Sequence, residues 1–159
     1  KATITSRADG NLRTYSVTGL AYTPGACSEW NYNINEDHFG AVLATIAAHE
    51  LGHNLDAQHD GTVDGNGELC SSDDAYVMAP SVGMSSDAIK NIRQFSFSSC
   101  SIDYFTAYIT TLENDGENCL ATRNATYDTS DLEPYLGDLA GQVYTPDQQC
   151  EVGDGSYLS

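Results

Sequence analysis

The most apolar stretch of the chain, FGAVLATIAAHELGHNL at residues 39–55, repeats its hydrophobic positions at helical spacing. Val42, Ile46, His49 and His53 follow one another at intervals of four, three and four, so they form one stripe. Leu43, Ala47 and Glu50 lie beside that stripe, and Ala44, Ala48, Leu51 and Leu55 complete a second apolar face. The pattern predicts a helix from Phe39 to Leu55 with Asp37 as its N-terminal cap. Being apolar on most sides, it is expected to be buried. Upstream, LRTYSVTGLAY (Leu12–Tyr22) is rich in β-branched and aromatic residues, Tyr15 and Val17 alternating with Thr14, Ser16 and Thr18. It reads as one strand, ended by Thr23-Pro24-Gly25. Downstream, Ile102, Phe105, Ile109 and Leu112 predict a second helix over Ser101–Glu113, with Gly116 placed to end it.

The remaining segments carry weaker signals. Residues 1–11 offer little beyond the turn formers Asp9-Gly10-Asn11, residues 26–37 read as irregular and polar, and Asp56–Ser99 reads as loop. Beyond Cys119 large aliphatic residues become sparse and Pro134 and Pro146 appear, as in a linker or the beginning of another module. No internal repeat is present.

With 159 residues the chain suits one modest core, and 40% hydrophobic against 18% charged residues is a globular balance. Lys and Arg number 6 against 23 Asp and Glu, a formal net charge of -17 that repels a phosphate backbone and argues against a nucleic-acid partner. The longest apolar run, Ala41–Ala48, is far short of the ~20 residues a membrane span needs. The chain opens at Lys1-Ala2-Thr3 without an initiator Met or an apolar signal region, and so reads as a processed chain or an excerpt of a precursor. Cys27, Cys70, Cys100, Cys119 and Cys150 are widely spaced, which fits disulfides and an oxidising, extracellular compartment. The N-glycosylation triplet Asn124-Ala125-Thr126 points the same way. An odd count leaves one cysteine without an internal partner.

The chemistry concentrates in AAHELGHNLDAQHDG. His49 and His53 sit one helical turn apart, so both imidazoles can reach one ion; His59, six residues later, can join them only if the chain turns back near Asp56. Three neutral imidazoles leave one tetrahedral position open for water, as in a catalytic zinc site. Zinc lowers the pKa of that water from about 15.7 to about 7. Glu50, adjacent to a ligand, is suited to take the water proton and pass it to a leaving amine. A single histidine on an apolar helix is more often a satisfied core residue; three of the chain's four histidines at this spacing favour a metal. His38 lies outside the spacing and reads as a surface or capping residue.

HELGHNLDAQHD resembles the metzincin signature H-E-x-x-H-x-x-G-x-x-H, and Asp60 after it is similar to the adamalysin/reprolysin branch, the ADAM, ADAMTS and snake-venom metalloproteases. Tyr76-Val77-Met78-Ala79-Pro80 resembles the Met-turn of that family, which implies that Met78 forms the floor beneath the metal. Gly19-Leu20-Ala21-Tyr22, followed by Cys27, is similar to its cleft-edge strand, and Ile34-Asn35-Glu36-Asp37 to the run before its active-site helix. Gly141-Gln142-Val143-Tyr144 and Asp147-Gln148-Gln149-Cys150 resemble the entry to an ADAMTS disintegrin-like module. The resemblance implies an α+β, zincin-like (metzincin) catalytic domain over residues 1–124, with a linker and the start of a disintegrin-like module over 125–159. It further implies pairing of Cys27 with Cys119 and of Cys70 with Cys100, Cys150 belonging to the next module. The strand Gly19–Tyr22 would pair with an extended substrate, and Ser81–Phe97 would wall the pocket for the side chain after the scissile bond.

Three positions depart from the family. Asp56 stands where the family has Gly at the end of the helix, a substitution expected to cost roughly 1 kcal/mol while leaving the turn intact. Thr122 and Arg123 follow Cys119 where the family places an Asp or Asn calcium ligand, which puts calcium in question and leaves zinc as the expected cofactor. The family's long first half is reduced here to a short stretch, so much of the N-terminal sheet is expected to be missing, or to come from the absent portion or a partner chain. The expected function is that of a secreted zinc metalloendopeptidase acting on extracellular proteins or peptides through zinc-bound water and Glu50 as general base. The alternative is a catalytically impaired, protease-like or disintegrin-like protein-binding module.

Overall fold

The computed structural model describes residues 2–8, 11–36, 41–62, 70–81, 83, 85–121, 130, 137, 145, 147 and 148; for 2–8, 11–16 and 41 the backbone alone is described. Asp37, His38, Thr122, Arg123, Asn124 and Cys150 lie outside the described residues. The chain forms two compact units, Lys1–Cys119 and Leu120–Ser159. In the second, Gln148 Oε1 accepts from the Thr145 N–H at 2.9 Å and its hydroxyl at 3.1 Å, and the Gln148 N–H donates back to Thr145 Oγ1 at 3.3 Å.

In the first unit, the single strand expected over Leu12–Tyr22 is two strands with different partners. Strand β1 (Ala2–Ala8) pairs antiparallel with β2 (Asn11–Val17), from Ala2↔Val17 to Ala8↔Asn11. Strand β3 (Gly19–Ala21) pairs antiparallel with β4 (Asn33–Asn35), from Gly19↔Asn35 to Ala21↔Asn33. The change of partner falls at Thr18, whose carbonyl accepts the Glu36 N–H at 2.7 Å. Periodicity concealed β1 and β4 because each carries one large aliphatic residue, Ile4 and Ile34. The better clue to β1 was Asp9-Gly10, a favoured pair for a two-residue hairpin connection, between the partners Ala8 and Asn11.

Helix α1 (Ala41–Asn54) lies within the expected span. It packs against β3 and β4, with Ile46 and Glu50 buried. Its burial differs from expectation. Val42 and Leu51 are 48% and 53% exposed, so β3 and β4 on one face and Met78 and Phe97 at Gly52 leave part of the apolar surface of α1 bare among the described residues. Asn54 fastens the end of the helix to the β3–β4 connection: Nδ2 donates to the Tyr22 carbonyl at 3.1 Å, Oδ1 accepts from Asn33 Nδ2 at 2.9 Å, and its backbone carbonyl accepts from the N–H groups of Gly25 and Ala26 at 3.0 and 2.9 Å.

Beyond α1 the chain contains a short helix that periodicity did not predict, α2 (Ala88–Arg93), with Asp87 accepting from the Ile89 N–H at 2.8 Å. Its apolar residues Ile89 and Ile92 are exposed, so it has no core-facing stripe to reveal it. Helix α3 (Ser99–Asp115) extends two residues beyond the expected span at each end. Ser98 caps its start, accepting from the Ser101 N–H at 3.2 Å. Gly116, at φ 72, ends it with the Gly116 N–H on the Glu113 carbonyl and the Glu117 N–H on the Leu112 carbonyl. Among the described residues the core is small: Ala57, Val77 and Met78, with Ala48, Phe97, Tyr104 and Phe105 against them. Phe97 and Phe105 meet edge-on at 4.9 Å, and the Tyr108 hydroxyl of α3 donates to the Ala26 carbonyl at 2.6 Å. No helix among the described residues is long and apolar enough to cross a membrane.

Disulfides join Cys27 to Cys119 and Cys70 to Cys100, as the resemblance implied, across sequence separations of 92 and 30. A crosslink restricts the unfolded chain more as its loop lengthens. Removing the longer bridge (Cys27→Ser with Cys119→Ser) is therefore expected to cost roughly 1 kcal/mol more than removing the shorter one, about 4.6 against about 3.6 kcal/mol by loop entropy. Denaturant melts of the two double variants measure the difference, and equal losses would show that loop length does not govern it.

Candidate metal centre

Two ligand candidates come from α1 and one from the chain returning after it, and the helix terminus explains how they meet. The Ala57 N–H donates to the Gly52 carbonyl at 3.0 Å and the Asp56 N–H to the His53 carbonyl at 2.9 Å, with Asp56 at φ 72. These bonds form a Schellman terminus with Asp56 in the left-handed position that glycine favours. The backbone reverses there, and His59 comes back beside the last two turns of the helix. Its Nε2 lies 3.1 Å from His49 Nε2 and 3.2 Å from His53 Nε2. The three ligand atoms all fall within 4.8 Å of one another.

The other nitrogen of each helical imidazole is engaged. His49 Nδ1 is 2.7 Å from the Val77 carbonyl, and His53 Nδ1 is 2.8 Å from the Ala57 carbonyl. A carbonyl oxygen only accepts, so each Nδ1 carries the proton and each Nε2 is left as a lone pair. His59 Nε2 has at most one hydrogen to offer to these two acceptors. Extra protons are disfavoured: burial lowers all three histidines, His49 to about 4 despite the opposing pull of the Val77 carbonyl. At least one lone pair therefore faces another with no hydrogen between them, a cost that a shared cation removes. Zinc fits the spacing, because two nitrogens at about 2.0–2.1 Å in tetrahedral array lie about 3.3 Å apart.

Met78 packs with Ala57 and Val77 and has no solvent exposure. Its place depends on Gly52, where a Cβ would strike Met78 Sδ and come within 3.2 Å of Phe97 Cε1. The Met78 carbonyl accepts the Asp60 N–H at 2.9 Å, which holds the residue after His59. Asp60 is itself buried, with Oδ1 accepting from the Ser98 hydroxyl at 2.7 Å.

The histidines open into a cleft of about 540 Å³ with Gly19, Leu20 and Ala21 along one side. Tyr76, Val77 and Pro80 line it, and Gly83 and Gln94 come from the stretch expected to wall it. That stretch is held by Asn91, whose Oδ1 accepts the Ser85 N–H and whose Nδ2 donates to the Ser85 carbonyl, both at 2.8 Å. Arg93 donates to Asp74 at 2.6 Å and lies over the Tyr76 ring at 5.3 Å, joining α2 to the segment before Val77. Glu50 also lines the cleft; it is 6% exposed, and burial raises its carboxyl to about 7.

A family model described as Reprolysin (M12B) family zinc metalloprotease matches residues 9–123. The chain belongs to the reprolysin family. It is similar to three relatives named a disintegrin and metalloproteinase with thrombospondin motifs: number 19 of Homo sapiens (32% identical, 90% of the chain), number 6 of Homo sapiens (34%, 87%) and number 10 of Mus musculus (35%, 86%). The chain spans 11% of the length of each. Reprolysins use zinc, and among the described residues of this reprolysin His49, His53 and His59 form a group that could hold a metal ion.

Periodicity and motif spacing missed the residues that orient this reprolysin cluster. The carbonyls of Val77 and Ala57 are backbone groups, which residue identity does not reveal. Gly52 carries a signal, since glycine inside a helix is unfavourable without a packing reason.

Two outcomes follow for the reprolysin site. One zinc per chain is expected by equilibrium dialysis, with His59→Ala weakening it by roughly 100-fold or more, beyond the 10–100-fold typical of losing a residue that supports a ligand. Undiminished affinity would remove His59 from the ligand set. At the helix terminus, Asp56→Ala is expected to be about 1 kcal/mol less stable than Asp56→Gly, because alanine lacks both the freedom of glycine and a polar side chain at positive φ. Thermal melts of the zinc-free variants test this.

Proposed function

We propose that this chain is the zinc-binding part of a secreted metalloendopeptidase that hydrolyses peptide bonds in extracellular proteins, with His49, His53 and His59 as zinc ligands and Glu50 as general base. The observation that carries the reading is the set of converging Nε2 atoms, two of them fixed as lone pairs by backbone carbonyls. When bound, zinc supplies Lewis-acid polarisation of a carbonyl and of water. Glu50 then takes the proton from the attacking water and delivers it to the departing amine, and a carboxyl held near neutrality by burial suits both transfers. The strand Gly19–Ala21 lies along the cleft, where an extended peptide would be held by strand addition. Met78 is the floor of the site and Tyr76–Pro80 its Met-turn; the complete burial of Met78 against α1 supports this.

Residues 1–124 are assigned to the C-terminal part of a catalytic domain, and residues 125–159 to a linker and the start of a disintegrin-like module. The compact unit Lys1–Cys119 and the word disintegrin in the relatives' names support the division. Two disulfides suit an oxidising, extracellular compartment.

The exposed apolar residues of α1 favour a second reading, a protease-like scaffold that binds protein without cutting it. One variant separates the two. Glu50→Gln is expected to keep its zinc and lose about 10²–10⁴-fold in kcat on a peptide substrate. Chelation is expected to abolish hydrolysis, and added zinc to restore it. A zinc-loaded chain that cuts no peptide, or a Glu50→Gln variant as fast as the parent, would defeat the protease reading.

A further inference from the structure

We infer that Gly19 is a positioning residue for Glu50: the missing side chain on β3 is what leaves the Glu50 carboxylate its place in the cleft. The inference rests on the role given to Glu50 above. A Cβ at Gly19 would overlap Glu50 Oε1 and lie 2.6 Å from its Cγ and 2.7 Å from its Cδ. Its three nearest neighbours all belong to one side chain, and none is backbone. Gly19 does not have a positive φ, so its conformation is open to any residue. Glycine inside a strand weakens it and often marks a close approach. Here what approaches is the proposed base itself.

Other glycines show what sets this one apart. A Cβ at Gly25 would lie 2.6 Å from the Trp30 carbonyl, so a substitution there works against the backbone. A Cβ at Gly52 would meet Met78. At Gly19 the strand has little room to withdraw, being paired to β4 by register and held through the Thr18 carbonyl by Glu36. Glu50 has a fixed backbone in the middle of α1 but a flexible side chain. An added methyl group is therefore accommodated by moving the Glu50 side chain from Cγ outward, the carboxylate with it. Restoring an ordinary contact of 3.4 Å at Cδ requires a shift of roughly 0.7 Å, and a misplacement of about 1 Å at a reacting group costs on the order of 100-fold.

The test uses the zinc-loaded full chain with Gly19→Ala, Glu50→Gln and the double variant. Gly19→Ala is expected to bind one zinc like the parent, to keep KM within about threefold and to lose about 100-fold in kcat. In the Glu50→Gln background it is expected to cost nothing more, because a residue acting only through Glu50 has nothing left to lose. A second readout needs no turnover: acetohydroxamic acid, a zinc chelator able to hydrogen-bond the neighbouring carboxylate, is expected to bind Gly19→Ala about tenfold more weakly at equal zinc content, the loss of one charge-assisted hydrogen bond. If Gly19→Ala does not fold, adding Glu50→Ala removes the obstructing side chain and is expected to restore the melt. Unchanged acetohydroxamate affinity, a loss that multiplies with Glu50→Gln, a raised KM at constant kcat, or an unfolded Gly19→Ala that Glu50→Ala does not rescue would each overturn the inference. A Glu50→Gln variant that hydrolyses like the parent would instead overturn the reading of Glu50.

Discussion

The site depends on a pair of hydrogen bonds that contain no ligand atom. By accepting from His49 Nδ1 and His53 Nδ1, the Val77 and Ala57 carbonyls fix the tautomer and the aim of both rings. Two lone pairs then face His59 Nε2 with too few hydrogens to join them. The fold supplies those carbonyls from two separate segments. Ala57 belongs to the terminus of α1 itself, and Val77 arrives from a segment far along the chain whose own N–H donates to the Ser96 carbonyl at 2.9 Å. The small core of Ala57, Val77 and Met78 is thus built largely from the residues that hold the histidines in place. Stability and site geometry draw on the same contacts.

Legibility from sequence followed the physics of each element. Helix α1 and the three histidines were legible because metal chemistry restricts residue type and helical geometry restricts spacing. The disulfide pairs were legible through family resemblance, since five cysteines by themselves leave the pairing open. Strands β1 and β4 were not legible as hydrophobic patterns; pairing depends on register, and one aliphatic residue apiece is too little signal. Helix α2 was hidden because it turns Ile89 and Ile92 toward solvent. The burial of α1 was overestimated for a related reason: an apolar surface on a helix records what could cover it, and among the described residues Val42 and Leu51 are left exposed.

The exposed apolar surface is not scattered evenly. Leu20 and Ile34 are cross-strand partners and are 50% and 65% exposed, with the half-exposed rings of Tyr22, Trp30 and Tyr32 nearby in mutual contact. On the other side of the β3–β4 pair, Gly19 meets Glu50 and Asn33 meets Asn54. The short sheet therefore has one face committed to α1 and one carrying apolar residues in solvent, in a chain whose formal net charge of -17 otherwise favours water.

The terminus of α1 has a consequence for dynamics. Ala57 closes the helix through its N–H and orients His53 through its carbonyl, so one peptide unit and its successor belong at once to the secondary structure and to the metal site. Fraying of the last turn cannot proceed without releasing an imidazole. Were a divalent ion held there, its occupancy and local order at residues 52–57 would be linked, and binding energy would appear as slowed amide exchange at the helix end. The terminus where most helices are loosest is here the one that metal loading would tighten.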